Sequence, residues 1–589
     1  MKASELLGAI AASPLKAVGW LVSKVTGMSD EMDLDLFTLV TTSKPLPPNA
    51  KLLEPVPRIL PNGVKAWVAI IPEEGKGLYY VEEPTLSEEE LRAYKTLIAR
   101  LQYVTKLEPR MGVEAYTPEA LEAYIVEKAR EVSEEFEVAG IYGLTKDKLV
   151  YYVKRDLLGY GPINPLMGDE ELEDILIVGY DKAFIVLDRR WAELDWLETN
   201  ITLSHDQLDQ LARRLALMGK STLSVAFPTV MCMIPTHDRV TATYRYEVSP
   251  NGTSISIRKF RKEPITIPQL LEQSVMSLQM VAYLWEIIED KGVIFVVGLP
   301  GGGKTTLCNA LSLMLKPQFH PVTIEDFPEL NLPQENRHSL TARYSKAIRG
   351  EGGGKRGEQV GEVSQVDLLR QSLRIRPDFL IVGEILTEEA PVMFQAINTG
   401  LGGATSFHAT DVHAAVTRLM EKTIGVDPAM LSMIDAVITV KRVKHPLTGE
   451  MVRRVPSIDE IKGVNDYNNV FTWTPSIDRF TPTDTRAIAK QSFALQKIKT
   501  RRGLTEEQIV GELNEKIHFL EDVSARHLER FSEFSGAIKS FYAAKARTVA
   551  SKTEPAAGVE EKPTIVELPL KTESVEDRLL KRLQTRERA

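Results

Sequence analysis

Cysteine is nearly absent from this chain: Cys232 and Cys308 are the only two in 589 residues. Two thiols build neither a disulfide framework nor a four-cysteine zinc site, and such scarcity fits a reducing cytosol. No stretch reaches the roughly 18 uninterrupted apolar residues that a spanning helix needs, so no segment is expected to cross a bilayer by itself. Positive charge is also in short supply, since 72 Lys and Arg against 81 Asp and Glu leave a net charge of -9. That balance gives no whole-molecule attraction to phosphate backbones, although a local basic channel would escape the sum, and nucleic acid is not the expected partner. No internal repeat is visible.

What is present is the profile of several packed domains, 43% hydrophobic and 26% charged, and the length suits roughly three or four of them. In residues 1–28, Leu6, Leu7, Ile10, Leu15, Val18, Leu21, Val22 and Val25 recur among Lys2, Lys16 and Lys24. Glu5, Pro14 and Lys16 break the apolar core that a signal peptide requires. The result is an amphipathic segment that could touch a membrane surface or pack on the protein's own body. Residues 29–150 read as a mixed N-terminal module: proline-rich extended pieces alternate with charged helical stretches at Leu86–Leu107 and Pro118–Phe136. The first of these opens on the capping-box pattern Ser87-Glu88-Glu89-Glu90.

In residues 151–270 short alternating runs, Ile175–Val178 and Ala183–Leu187, precede a helix near Ser204–Met218. Two strands, Thr241–Tyr246 and Ser254–Arg258, then flank the hairpin signal Pro250-Asn251-Gly252. An α+β domain is predicted here. From 271 to 484 strand and helix alternate as far as about residue 440, the signature of a parallel sheet covered on both faces. Residues 485–550 read as helices, with Ile509, Val510, Leu513, Ile517 and Leu520 at helical spacing. Residues 551–589, rich in Lys, Glu, Pro and Thr, read as a disordered tail.

Chemistry concentrates between residues 298 and 411. Residues 298–306 read GLPGGGKTT, after the apolar run Val293–Val297 and before the helix-like stretch Leu307–Leu311. Gly298, Pro300, Gly301, Gly302, Gly303, Lys304, Thr305 and Thr306 thus form a phosphate-binding loop. Its glycines free backbone N–H groups to curl around a polyphosphate, Lys304 reaches the β and γ phosphates, and the Thr305 hydroxyl can ligate Mg²⁺. A nucleoside triphosphate with Mg²⁺ is the expected ligand.

Hydrolysis also requires acidic groups at the carboxyl ends of neighbouring strands. Val322–Ile324 runs into Glu325-Asp326, and Phe379–Val382 into Gly383-Glu384, so two apolar strands end in carboxylates at the sheet edge that carries the loop. Either alone would more commonly cap a helix or face water; two, downstream of a phosphate loop, point to chemistry. A third apolar run, Ala404–Phe407, ends at His408, whose neutral imidazole could bond a γ phosphate or the attacking water. Charge developing on that phosphate is commonly offset by arginine. Arg239, Arg245 and Arg258 precede the nucleotide domain and Arg374 and Arg376 precede the Gly383-Glu384 strand; Arg239 and Arg258 are the chosen candidates.

In combination, VSPNGTSISIRKF (248–260), GLPGGGKTT, TIEDFPEL (323–330), LRIRPDFLIVGEI (373–385) and TGLGGATSFHA (399–409) resemble a known family. They look like the entry strand, Walker A loop, aspartate box, atypical Walker B and histidine box of the type II and type IV secretion ATPases, in particular the archaeal branch that drives pilus and archaellum assembly. The resemblance runs from about Leu157 to Val440. It implies an α/β fold in which a RecA-like P-loop NTPase domain follows a smaller α+β domain, with helical N- and C-terminal additions and ATP bound between the two domains.

It further implies a homo-hexamer, peripheral at the cytoplasmic face of the membrane, whose ATP turnover drives a polytopic membrane platform protein and, through it, pilin-like subunits. Membrane contact would come mainly through that partner. Carried onto this chain, the resemblance makes Glu384 the general base, gives Glu325 and Asp326 the Mg²⁺ and its waters, makes His408 a reporter on the γ phosphate, and makes Arg239 and Arg258 cations from the neighbouring domain. Two positions depart from the family pattern. Ile385 is followed by Leu386 where relatives commonly carry arginine, and Leu401 follows Thr399-Gly400 where they often carry histidine. Both departures remove a polar group near the catalytic edge, which keeps a nucleotide-gated scaffold with weak hydrolysis open beside the motor. A conjugation-type DNA-transfer ATPase shares the fold.

Overall fold

The computed structural model describes residues 45–94, 97, 123–124, 126–131, 144–261, 263–343, 363–446, 448–449 and 451–553. The expected amphipathic segment 1–28 lies outside the described residues, as does much of the two charged helical stretches and, of the expected tail 551–589, all but its first three residues, which instead end the helix Phe531–Thr553. The first stretch begins as its sequence predicts: Ser87 Oγ accepts from the Glu90 N–H at 3.2 Å, and the Glu90 carboxylate accepts from the Ser87 N–H at 2.7 Å. The chain divides into two compact units, Met1–Ile538 and Lys539–Ala589. The described part of the second is the end of the helix Phe531–Thr553. The first unit holds two sheets, each over its own buried core.

Ten short runs build the first sheet: β1 (Lys51–Leu52), β2 (Arg58–Ile59), β3 (Lys65–Ile71), β4 (Lys76–Glu82), β5 (Leu172–Ile177), β6 (Ala183–Asp188), β7 (Trp196–Thr202), β8 (Thr229–Met233), β9 (Arg239–Thr243) and β10 (Ser254–Arg258). They join in the order β1-β3-β4-β7-β6-β5-β10-β9-β8, with β2 paired to β3. All pairs are antiparallel except β4 with β7, where Leu78 lies opposite Glu198. That parallel pair carries the sheet across residue 150, where the sequence changes texture. Arg155, fully buried, ties the same region together by donating to Glu83 at 3.1 Å and to Asp156 at 2.8 Å.

Helix α1 (His205–Met218) covers strands β8 to β10 and buries Leu208, Leu211, Ala212 and Leu215. Its start is fixed where expected, by a capping box between Ser204 and Gln207. Strands β9 and β10 make the expected antiparallel pair, Thr243 opposite Ser254, but not through the tight turn that Pro250-Asn251-Gly252 signals. The strand expected to run to Tyr246 stops at Thr243. Tyr244 gives its N–H to the Pro228 carbonyl instead, at 2.8 Å. Arg245 turns to a left-handed φ of 48°, held there by a 2.6 Å bond from its Nε to Asp209. Residues 244–253 therefore form a wide loop.

The second sheet comprises β11 (Val293–Gly298), β12 (Pro321–Glu325), β13 (His338–Thr341), β14 (Phe379–Ile385), β15 (Gly402–His408), β16 (Ala436–Lys444), β17 (Met451–Gly463), β18 (Asp466–Thr474) and β19 (Arg479–Thr481). Its order is β13-β12-β14-β15-β11-β16-β17-β18-β19, parallel from β13 to β16 and antiparallel beyond. Strands β11 and β12 are buried at every residue, which is why they read as continuous apolar runs. This is the RecA-like arrangement, with the loop strand β11 between β15 and β16. Among the described residues no helix is long and apolar enough to cross a membrane.

Helices α2 (Leu278–Glu289) and α4 (Glu506–Ala525) pack together, α3 being the loop helix Lys304–Ser312. Ile509, Leu513, Ile517 and Leu520 are buried as their spacing predicts, and Trp285 meets Phe519 edge to face at 5.5 Å. The same face also buries a charge. Lys516, fully buried, pairs with Glu289 at 2.8 Å and with Glu286, which Arg502 reaches at 2.7 Å. Substituting Lys516→Met leaves two buried carboxylates short of a cation, and we expect a loss of about 3–5 kcal/mol in urea denaturation. An unchanged midpoint would show the pair to be dispensable.

Candidate nucleotide site

Strand β11 ends at Gly298 and α3 begins at Lys304, so the glycine-rich segment is the whole connection between them. Its glycines are dictated by space and by backbone angle. A Cβ on Gly298 would stand 2.5 Å from the Val440 carbonyl of β16, and one on Gly302 3.0 Å from the Leu299 carbonyl. Gly301 and Gly303 hold φ of 71° and 95°, a region that side chains disfavour. Pro300 immediately precedes Gly301 in the turn. Gly303 N-caps α3, and Thr305 and Thr306 lie in its first turn, where helical N–H groups are left without carbonyl partners. This backbone cradle fits a polyphosphate. Lys304 is 7% exposed, and its Nζ donates to the Leu299 carbonyl at 3.3 Å and to His408 Nδ1 at 3.2 Å.

Parallel register brings the other groups to the same edge. Gly298 lies opposite His408, and Glu384 opposite Ser406. Between Val382 and Glu384 the register of β14 shifts, and Ser406 Oγ donates to the Gly383 carbonyl at 2.6 Å inside that bulge. A bulge re-aims the side chain that follows it, and Glu384 Oε1 lies 2.5 Å from His408 Nε2. Because Lys304 can only donate, His408 Nδ1 is the acceptor and the ring proton belongs on Nε2. The carboxylate does not lie along that N–H, and Oε1 is left buried without an aligned hydrogen bond. Burial, then Lys304, pushes the His408 pKa below its ordinary value, with Glu384 opposing; the imidazole is neutral at neutral pH. Burial also pushes Lys304 down against the pull of Glu384.

Glu325, at the end of β12, is 4% exposed. Its Oε1 accepts the backbone N–H groups of Glu329 at 2.8 Å and Leu330 at 2.9 Å. Burial raises its pKa to about 8 in spite of those two donors. Gly383 makes the room, since a Cβ there would stand 3.1 Å from Glu325 Cγ. Asp326 follows, only partly exposed.

Of the arginines, Arg239 and Arg258 are cross-strand partners on β9 and β10. Arg239 lies over the Phe327 ring at 4.4 Å, which brings the first sheet against the segment that follows Glu325-Asp326. Arg258 bonds Asp174 at 3.0 Å. Glu329, inside the aspartate box but given no role from sequence, feels both: the surrounding protein pushes its pKa up, and Arg258 and Arg239 pull it back. Three candidates are not part of the group. Arg245 is held by Asp209, and Arg374 and Arg376 precede the amino end of β14, a strand's length from the loop. Leu386, just past β14, is 42% exposed.

The model of the type II/IV secretion system protein family matches residues 173–492. This chain belongs to that family. It is 33% identical over 410 residues to the uncharacterized protein MJ0900 of Methanocaldococcus jannaschii, which covers 67% of this chain and 70% of that one. A second uncharacterized protein of the same organism, MJ1287, is 36% identical over 271 residues, covering 45% of this chain and 93% of its own length. The type IV secretion system protein VirB11 of Bartonella henselae is 25% identical over 328 residues, 48% of this chain and 88% of that protein. As a member of the family, the chain binds nucleotide and is an ATP hydrolase.

In this secretion ATPase the sequence signals for Lys304, Glu325, Glu384 and His408 converge on one edge, while the partners that hold them were not individually legible. Arg418 is one: it donates to the His408 carbonyl at 2.7 Å and lies over Phe407. Glu325 yields a test. A folded pKa of about 8 against an ordinary 4.5 means that the nucleotide-free protein takes up a proton on folding between those values. Stability is then full below about pH 4.5 and falls until about pH 8, flat beyond. Glu325→Gln keeps an acceptor for the two N–H groups and removes that loss. Melting temperatures of the two proteins should diverge across this interval, the variant higher; parallel curves would refute the buried neutral carboxyl.

Proposed function

We propose that this chain is a Mg²⁺-dependent ATPase motor that forms a homo-hexamer at the cytoplasmic face of the membrane and powers the assembly or secretion of pilin-like filament subunits through a polytopic platform protein. One observation carries the catalytic part: Glu384 Oε1, buried and without an aligned hydrogen bond, beside His408 and Lys304 at the mouth of the phosphate loop. A desolvated acceptor with a spare lone pair is what proton removal from water needs.

In this reading, the loop N–H groups and Lys304 take the phosphates of ATP, Lys304 exchanging the imidazole for phosphate oxygen. Glu384 accepts a proton as water oxygen bonds to the γ phosphorus and the bond to the β-bridging oxygen breaks, releasing ADP and phosphate. His408, neutral, accepts from the attacking water at the Nδ1 that Lys304 vacates, or donates to the γ phosphate once its proton has moved to that nitrogen. Mg²⁺, held by Thr305, Asp326 and Glu325 directly or through waters, would neutralise charge on the phosphates. Arg239 and Arg258 supply cations from the preceding domain, and the contact of Arg239 with Phe327 gives that domain a path to the site.

Two other readings have support of their own. Leu386 and Leu401 favour a nucleotide-gated scaffold with weak hydrolysis, and the likeness to VirB11 keeps a conjugation-type DNA-transfer ATPase in view, against the net charge of -9. Glu384→Gln separates the first from the motor. Phosphate release should fall at least about 100-fold, with binding of a fluorescent ATP analogue intact. A variant that turns over like wild type would remove Glu384 from the chemistry. Filter binding of single-stranded and duplex DNA across salt should show no retention at physiological ionic strength; salt-dependent retention there would favour the DNA reading.

A further inference from the structure

The phosphate loop has a second neighbour, contributed by the antiparallel return of the sheet. Arg453 on β17 crosses Gly303: a Cβ on that glycine would stand 3.2 Å from Arg453 Cδ and 3.3 Å from its Nε. Gly303 is the N-cap of α3, so the guanidinium stem lies against the end of the helix that already carries positive potential. Its cross-strand partner on β16 is Arg442, and residues directly opposite in an antiparallel pair present their side chains to one face. The adjacent Arg454 differs entirely. It is buried and held by Asp478 at 2.8 Å through two nitrogens, whereas Arg453 and Arg442 are exposed and make no ion pair among the described residues.

Two like charges opposite each other across a ladder, beside Lys304 and a helix N-terminus, repel one another. Arg261, whose pKa is pushed down first by burial, also feels Arg189 and, more weakly, Arg453 as unfavourable charges, with Glu171 and Glu173 opposing. No carboxylate among the described residues pairs with either member of the Arg442–Arg453 couple, which leaves both exposed guanidinium groups open to an anion. The phosphates of the nucleotide are the anion that the adjoining loop is shaped for.

We infer that Arg453, with Arg442 as its weaker companion, is a ligand of the nucleotide's phosphates, supplied in cis from the antiparallel part of the sheet. This rests on the ATP site proposed above and adds a specific residue to it. Arginine is suited to the task, since its planar fork grips phosphate at two points.

The test measures the affinity of Mg·ATP by calorimetry for wild type, Arg453→Ala, Arg453→Lys and Arg442→Ala. Loss of a charge-assisted contact predicts a Kd at least about tenfold weaker for Arg453→Ala, partial recovery in Arg453→Lys, and a smaller loss for Arg442→Ala. Melting temperatures without nucleotide should equal or exceed wild type, because the side chain is exposed and its removal relieves the repulsion, and such a result rules out misfolding as the cause. If wild type binds ATP and Arg453→Ala binds within about twofold of it, this inference falls alone. If wild type takes no ATP at all, the ATP site falls and the inference with it.

Discussion

Parallel pairing fixes where each strand ends relative to its neighbour, and the candidate site is made of strand ends. With Gly298 opposite His408 and Glu384 opposite Ser406, the loop, the imidazole and the carboxylate are delivered to one edge by main-chain hydrogen bonds alone. Among the parallel pairs of that sheet the register shift at Gly383 is the departure from regular pairing, and it serves the same end by turning Glu384 toward His408. Gly383 also leaves the space that Glu325 occupies. A side chain at this one position would disturb both acidic residues together.

Burial then sets the electrical state of what the register assembles. Lys304 and His408 are both pushed toward neutrality, and Glu325 is held protonated up to about pH 8. Each shift disfavours the charged form of a group that the fold keeps from water. In the ATP-bound state proposed above, a polyphosphate would oppose that shift at Lys304, draw its ammonium off the imidazole and free His408 Nδ1 for a new partner.

The sequence made some of this legible and hid the rest for a physical reason. The loop, the two acidic strands and His408 could be read because each depends on a local pattern, an apolar run that ends abruptly in a chemical group. Arg239 and Arg258 could be placed on strands, yet the contact of Arg239 with Phe327 joins residues far apart in the chain and leaves no periodic trace. Arg453 was invisible for the same reason: it meets Gly303 only because β17 returns antiparallel beside β16. Lys516 breaks the apolar stripe of its helix, and its burial depends on Glu286 and Glu289 standing opposite. The wide loop after Thr243 depends on Asp209, from a helix, capturing Arg245.

The segment between Glu325 and Leu330 is where these constraints meet. Its backbone N–H groups at Glu329 and Leu330 are consumed by Glu325, its Phe327 ring carries Arg239, and its Glu329 senses Arg239, Arg258 and Glu384 at once. A change of charge on Glu325 alters how strongly it holds those two N–H groups, and so how firmly Phe327 is presented to the first sheet. One short loop thus couples the protonation or ligation of a buried carboxyl to the seat of a cation from the other domain. In the motor reading proposed above, such a joint would let a change of nucleotide move one domain against the other.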